Sequence, residues 1–275
     1  LKDAAGNTPI AITEANTENK VIYMAPIEVK VTDFSSSNSN RTYAKNGDKI
    51  TVAFTTNHEV TVDKIKIAGQ KLDTSKDSKE LTTKDNKTWT AVYEIKDGDL
   101  EDNSPIDFEF TVNDAAGNTP VTTKKDGELK DITYMAPIKA TITGFASNNR
   151  NSEKVARNGD IIQLTFTTTH PVKVSRLSIG GKGLSGEAKS SDNMNWSIDY
   201  LVTPGALQDQ QLIPYSFTLT DAAANTPFTF TSGQEDRNVK YFEPIKVSNL
   251  KIVSNNVKDG SKYAKDGDTI TVTFD

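Results

Sequence analysis

Apolar and polar residues alternate along many short stretches of this chain. Between Lys49 and Thr56, the side chains of Ile50, Val52 and Phe54 fall on one side of an extended segment, and the polar or small residues between them fall on the other. The same triplet occurs twice more, as Ile162/Leu164/Phe166 and as Ile270/Val272/Phe274. No stretch of useful length has helical spacing, so the pattern predicts an all-β chain.

A second set of alternating positions begins at a tryptophan. Trp89, Ala91, Tyr93 and Ile95 are matched later in the chain by Trp196, Ile198, Tyr200 and Val202. With turn signals about every ten residues, we count about seven short strands per unit, the pattern of an immunoglobulin-like β-sandwich. We expect Trp89 and Trp196 to be structural residues, at the place where such sandwiches bury an indole ring.

The strands belong to a repeat as long as a domain. The segment Asp114-Ala-Ala-Gly-Asn-Thr-Pro120 is followed by Tyr134-Met-Ala-Pro-Ile138. Related pairs of segments start at Asp3 and Tyr23 and at Asp221 and Tyr241, and successive copies are 111 and 107 residues apart. Because this period is longer than solenoid repeats of roughly 20–50 residues, it predicts a tandem array of whole domains.

The repeat also predicts where the domains begin and end. Residues 23–133 and 134–240 are two complete sandwiches. Residues 1–22, with an alternating strand at Pro9–Thr13, are expected to be the C-terminal hairpin of a truncated domain. Residues 241–275 are expected to be the N-terminal strands of another, so we interpret the chain as part of a longer polypeptide.

Composition narrows the function classes. The chain has 32 basic and 37 acidic residues and a net charge of −5, which argues against a nucleic-acid-binding face. It has no cysteine, and therefore no disulfide frame and no thiolate metal site. No apolar run of about 20 residues is present, so no segment of this sequence is predicted to insert in a membrane. No nucleophile, base and orienting group come together, and an enzyme is not expected.

Candidate ligand-binding residues have simpler structural explanations. The aspartates of the repeated motifs, such as Asp114 and Asp48, suit calcium, but a short Asp in a turn also accepts backbone hydrogen bonds. We expect turn residues and no cofactor, with calcium as the alternative and any metal ligands unknown. His58 and His170 are expected on surface loops, and the aromatic residues are expected in the core instead of on a sugar-binding platform.

The segment Ala44-Lys-Asn-Gly-Asp-Lys-Ile-Thr-Val-Ala-Phe54, together with the later Asp-Ala-Ala-Gly-Asn, resembles the bacterial Ig-like repeat domains of large exported surface proteins. The resemblance covers essentially the whole chain. It implies an extracellular, cell-surface location and a role in an adhesin, a stalk or an S-layer. One departure is Ala224, where the other copies have glycine; an alanine there would be strained if the position needs positive φ.

The links between domains carry the functional hypothesis. Each link has a tyrosine and a proline, namely Tyr23, Tyr134 and Tyr241 with Pro26, Pro137 and Pro244. Proline restricts its own backbone and that of the preceding residue, and the tyrosine ring can cover the junction. We therefore expect a semi-rigid stalk, filament or surface layer whose partners are neighbouring Ig-like domains of the same longer chain, with lateral self-assembly also open. The alternatives are an adhesin module that binds a glycan or protein through its loops, and a spacer in a cell-surface enzyme.

Overall fold

The computed structural model describes residues 4–7, 21–184, 186, 188–232, 237–256 and 262–275. All regular structure in these residues is β-strand, and none of them forms a helix that could span a membrane. They fall into two compact units, residues 1–138 with Asp221–Thr226 and residues 139–220 with 227–275. The hairpin predicted for residues 1–22 lies outside the described residues, apart from 4–7 and 21–22.

The first unit contains one sandwich made of two four-stranded sheets. Its strands are β1 (Val29–Ser36), β2 (Tyr43–Ala44), β3 (Lys49–Thr56), β4 (Thr61–Ile67), β5 (Gln70–Lys71), β6 (Leu81–Thr83), β7 (Thr88–Glu94), β8 (Phe108–Asn113), β9 (Val121–Lys124) and β10 (Thr133–Tyr134). The strand orders are β1-β3-β7-β6 and β5-β4-β8-β9. This arrangement is that of an immunoglobulin-like sandwich, so the predicted fold class is confirmed.

The second unit repeats this plan. Its strands are β11 (Ala140–Ser147), β12 (Val155–Ala156), β13 (Ile161–Thr168), β14 (Lys173–Ile179), β15 (Lys182–Gly183), β16 (Asn195–Leu201), β17 (Tyr215–Thr220), β18 (Phe228–Thr231), β19 (Lys240–Tyr241), β20 (Lys251–Ser254) and β21 (Ile270–Thr273). Its main sheets have the orders β11-β13-β16 and β15-β14-β17-β18. The last two strands form a separate pair.

Alternation along the strands builds both cores. The alternating apolar residues of β3, Ile50, Val52 and Phe54, are completely buried. Phe54 stacks across the sandwich on Phe110 of β8, with 4.1 Å between the ring centroids. In the second unit Phe166 of β13 stacks on Phe217 of β17 at 4.4 Å.

The tryptophans are not on the strand that we expected. In immunoglobulin domains the buried indole lies on strand C, which belongs to the sheet opposite strands B and E. Here Trp89 lies on β7 and pairs with Phe54 of β3, within the sheet that holds the equivalent of strand B. The sequence showed which residues alternate, but a tryptophan on either sheet can face the same core.

Candidate functional site

The link Tyr134–Ile138 begins as part of the sandwich that precedes it. Thr133 and Tyr134 form β10, which pairs in parallel with Tyr43 and Ala44 of β2. The Tyr134 ring is buried, at 1% exposure, and its hydroxyl donates to Asn46 Oδ1 at 2.6 Å. Burial raises the pKa of Tyr134, so the phenol remains a protonated donor at physiological pH.

The next two residues of the link are held through their N–H groups. Met135 N donates to Ala44 O at 2.8 Å. Ala136 N donates to Asp102 Oδ1 at 2.9 Å. Three consecutive link residues, counted from Tyr134, are therefore fixed to residues of the first sandwich.

The carbonyl groups of the link are held by the turn Asp221–Thr226, which belongs to the same compact unit. Asn225 Nδ2 lies 3.1 Å from Met135 O and 3.0 Å from Ala136 O. Asp221 orients that amide, since it accepts from Asn225 N at 3.0 Å and from Asn225 Nδ2 at 2.8 Å. Asn225 is buried, so these bonds are protected from water.

A second buried asparagine contacts the same turn. Asn38 Nδ2 donates to Asp48 Oδ2 at 2.7 Å and to Ala223 O at 2.8 Å. Because an amide nitrogen has two hydrogens, both are used. Asn38 is 5% exposed and Ala223 is 0% exposed. Asp48 Oδ2 also accepts from Lys45 N at 2.9 Å, which places this aspartate in the turn as an acceptor of N–H groups.

We call the hydrogen bonds from an asparagine side chain to the carbonyl groups of a link the clamp. The turn Asp114–Asn118 makes the same clamp on the link that precedes the first sandwich. Asn118 Nδ2 donates to Asp114 Oδ2 at 2.7 Å and lies 3.3 Å from Met24 O and 3.0 Å from Ala25 O. The hydrogen bond from the Asn118 side chain lowers the pKa of Asp114 to about 2, assisted by the Asn118 N–H and by His58 and opposed by burial. The first repeat and the second thus use one device.

The expectation of surface histidines was wrong for His170, which is buried, while His58 is half-buried. His58 Nε2 lies 2.9 Å from Asp114 Oδ2, and its side chain is 16% exposed. His170 is 1% exposed. His58 packs against the turn that follows β8, and its spacing from Phe54 in the sequence gave no sign of this contact.

The second unit repeats the anchor of the link. Tyr241 is 1% exposed and its hydroxyl donates to Asn158 Oδ1 at 2.8 Å. Phe242 N donates to Ala156 O at 2.8 Å, and Glu243 N donates to Asp209 Oδ1 at 2.9 Å. Tyr23, in contrast, is 85% exposed.

The prolines lie just ahead of strands and not within them. Pro26 precedes β1 and Pro137 precedes β11, each by three residues, while Pro244 lies seven residues ahead of β20. All three are exposed, and the isoleucine after Pro26 and Pro137 is buried in each case. Of the tryptophans, Trp89 is buried and Trp196 is half-buried.

Sequence reasoning missed the asparagines of the site. Asn38 and Asn149 each follow a serine by two residues and precede Asp48 and Asp160 by 10 and 11 residues. This Ser-x-Asn pattern also precedes Asp268, at Ser254 and Asn256. Its repetition in step with the Gly-Asp turns was the available signal.

The side chains that bond to the link and to the turn Asp221–Thr226 can hold a chain segment in place. They are amide, hydroxyl and carboxylate groups that bond to one another and to the backbone. Within the part of the chain that the structure describes, no three His, Asp or Glu side chains are grouped to hold a metal ion.

Neither a protein-family model nor a curated protein sequence matches this chain. Solved structures of similar fold include an I-band fragment of titin, with a TM-score of 0.46, 10% identity and coverage of 88% of this chain and 83% of that one. A fragment of Rst has a TM-score of 0.42 and 11% identity, and the match covers 78% of this chain and 99% of that one. The ectodomain of mouse nectin-like molecule 4 has a TM-score of 0.34 and 11% identity, with coverage of 79% and 64%. The fold assignment rests on the strand order of the chain itself.

Proposed function

We propose that this chain is a structural segment of a long extracellular surface protein, in which Ig-like repeats joined by semi-rigid links form a stalk, filament or surface layer. The protein is non-enzymatic in this proposal, and its partners are neighbouring repeats of the same longer chain. The observation that carries the proposal is the double attachment of the link Tyr134–Ile138 in the first unit.

The hydrogen bonds of the link favour a fixed segment over a free tether. Its N–H groups bond to Ala44 and Asp102, and its carbonyls bond to Asn225. Each such bond contributes about 1 kcal/mol net, and a buried tyrosine adds to this. Pro137 further restricts the backbone, so few conformations remain.

The same parts occur at the other links, which supports a general role in joining repeats. Asn118 clamps the link at Met24 and Ala25, and Tyr241 is anchored to Asn158. Each link keeps either the asparagine or the buried tyrosine, and such repeated attachments suit a protein whose spacing and direction must be maintained over many domains.

Double electron–electron resonance tests the proposal. Because the chain has no cysteine, Lys64→Cys on β4 and Lys173→Cys on β14 can be labelled uniquely at exposed positions. We expect a narrow distance distribution, and a broader one in Asn225→Ala because the clamp on the link is removed. Asn118→Ala is the matched control, since it removes the same clamp from a link outside the labelled pair.

A reference for a free link is the insertion of four Gly and Ser residues between Ala136 and Pro137. It should leave the melting temperature of each sandwich unchanged. If the parent chain already shows a distribution as broad as this insertion, the link is only a tether and the stalk proposal loses its mechanism.

A further inference from the structure

The second unit has an asparagine–aspartate pair that corresponds to the pair in the first unit. One hydrogen of its asparagine side chain has no acceptor among the described residues. Asn149 Nδ2 donates to Asp160 Oδ2 at 2.6 Å, and Arg157 N donates to the same oxygen at 2.8 Å. In the first unit the corresponding Asn38 amide has a second bond, to Ala223 O. No described residue accepts a second hydrogen from Asn149.

The surroundings of Asn149 form an open, preorganised groove of about 800 Å³. Its lining includes Asn149 and Asp160 on one side and Phe242, Glu243 and Ile245 on the other. The N–H groups of Phe242 and Glu243 are already bonded to Ala156 and Asp209. Their carbonyls correspond to those of Met135 and Ala136, which Asn225 clamps in the first unit.

We propose that this groove is the docking site for an Asp-Ala-Ala-X-Asn turn of an Ig-like repeat that is joined to the chain through Tyr241–Ile245. The turn supplies the backbone carbonyl of its second alanine to Asn149 Nδ2, and its asparagine donates to the carbonyls of Phe242 and Glu243. This inference rests on the proposed function, in that the partner is a neighbouring repeat.

The chain itself shows that such a turn fits such a groove. In the first unit Ala223 is completely buried against Asn38, whereas Ala116, its equivalent in the turn Asp114–Asn118, is exposed. The residues after the link also continue the repeat pattern, because Lys265 N donates to Asp268 Oδ2 at 2.7 Å as Lys45 N does to Asp48. A repeat of the same kind is therefore the occupant that matches the groove.

The specificity follows from the geometry of the turn. The residue at the position of Ala223 must be small, since Ala223 is completely buried and a larger side chain would have to displace its neighbours. The turn must also present an asparagine two residues later, because one hydrogen of its amide binds the partner aspartate while the other is shared between the two link carbonyls.

Hydrogen exchange of the side-chain amides, followed by NMR, tests the docking site. In the chain as it is, we expect the Nδ2 hydrogens of Asn38 to exchange slowly and those of Asn149 to exchange faster. In an extended chain, residues 139–245 are placed again after Ile245 in place of 246–275, which supplies the turn. Exchange at Asn149 should then slow by about fivefold, the factor that one hydrogen bond of about 1 kcal/mol net represents.

A pair of matched variants gives a second readout. Asn38→Ala and Asn149→Ala each lose one bond to an aspartate, but only Asn38→Ala loses a bond to the turn. In the present chain Asn38→Ala should therefore lower the urea midpoint more, and in the extended chain the two should lower it equally. Unchanged exchange at Asn149 in the extended chain, with Asn38 still protected, would overturn the docking site and leave the proposed function standing. A broad distance distribution in the present chain would instead overturn the function.

Discussion

The two sandwiches keep the same aromatic core and differ at the sheet edge beside it. In the first unit, β6 pairs with β7, and Trp89 is 9% exposed. In the second unit, the described contact along the same edge of β16 is a single bridge between Lys189 and Ser197, and Trp196 is half-buried. The ring stack behind the tryptophan is unchanged, since Phe54–Trp89 and Phe166–Trp196 have centroid distances of 6.4 and 6.2 Å.

The difference shows that the alternation along the strands determines which residues are buried in the core. The loop between the strands determines how the edge of the sheet is paired. Beside Trp196 lies a groove of about 700 Å³ lined by Leu177 and Leu184. In the first unit Leu81 of the edge strand β6 is buried. Tryptophan at the same position of the repeat therefore has a different environment in each unit.

The largest expected effect compares the two tryptophans. Trp89→Ala should lower the free energy of unfolding by about 3–5 kcal/mol, because a buried ring leaves a cavity. Trp196→Ala should cost less, about 2–3 kcal/mol, because part of its ring is already exposed. Equilibrium urea unfolding of each full-length variant measures both values.

Tryptophan fluorescence of the same two variants gives an independent check, since each retains one indole. The spectrum of Trp196 should lie further to the red. Equal stability losses together with equal emission would show that the difference in edge pairing does not affect the environment of the ring.

An intermediate effect compares the two turns. Ala224 has a φ of 54° and Gly117 a φ of 76°, so alanine occupies the left-handed region that glycine occupies in the other copy. Gly117→Ala should destabilise by about 1–2 kcal/mol, and nothing lies within 4 Å of the added methyl group, so the loss is one of backbone conformation.

The reverse substitution, Ala224→Gly, should stabilise by only about 0.5 kcal/mol, because relief of strain is partly offset by the greater freedom of glycine in the unfolded chain. Thermal unfolding measures both changes. A loss of stability in Ala224→Gly would mean that the alanine methyl group makes a useful contact.

The smallest effect concerns acid and the turn Asp114–Asn118. Hydrogen bonds from Asn118 lower the pKa of Asp114 to about 2 from 3.8, so its ionised form stabilises the folded state. This contribution is complete above about pH 4 and is lost as the pH falls towards 2. Asp114→Asn should therefore be less stable than the parent at pH 5, with a gap that closes near pH 2.

Melting temperatures at a series of pH values measure this gap. Asp63→Asn, on the exposed side of β4, is the control and should follow the parent curve. A gap between Asp114→Asn and the parent that stays constant down to pH 2 would separate the loss from the titration of this carboxylate.

The sequence predicted the parts of the molecule that repeat, and missed those that depend on contacts distant in the chain. The triplet Ile50/Val52/Phe54 was buried as expected because alternation is a local property of a strand. The bond from Asn38 to Ala223 joins residues 185 positions apart, and no local pattern reports such a pair.

The link illustrates the same limit. Its tyrosine and proline were visible in the sequence, and Tyr134 is indeed covered. The residues that bond to it, Asn46, Asp102 and Asn225, come from three separate loops. Only the fold brings these loops together. The sequence therefore indicated the link but not the residues that bond to it.

The stacked rings of Phe54 and Phe110 join the strands that in antibody domains carry the disulfide between the two sheets. The contact between these two phenylalanine rings contains no sulfur, so it does not depend on oxidising or reducing conditions. Reducing agents should leave the unfolding midpoint of either sandwich unchanged, and refolding should have no phase that depends on an oxidant or on thiol exchange. Each sandwich can therefore fold under reducing or oxidising conditions, and its core is the same in either case.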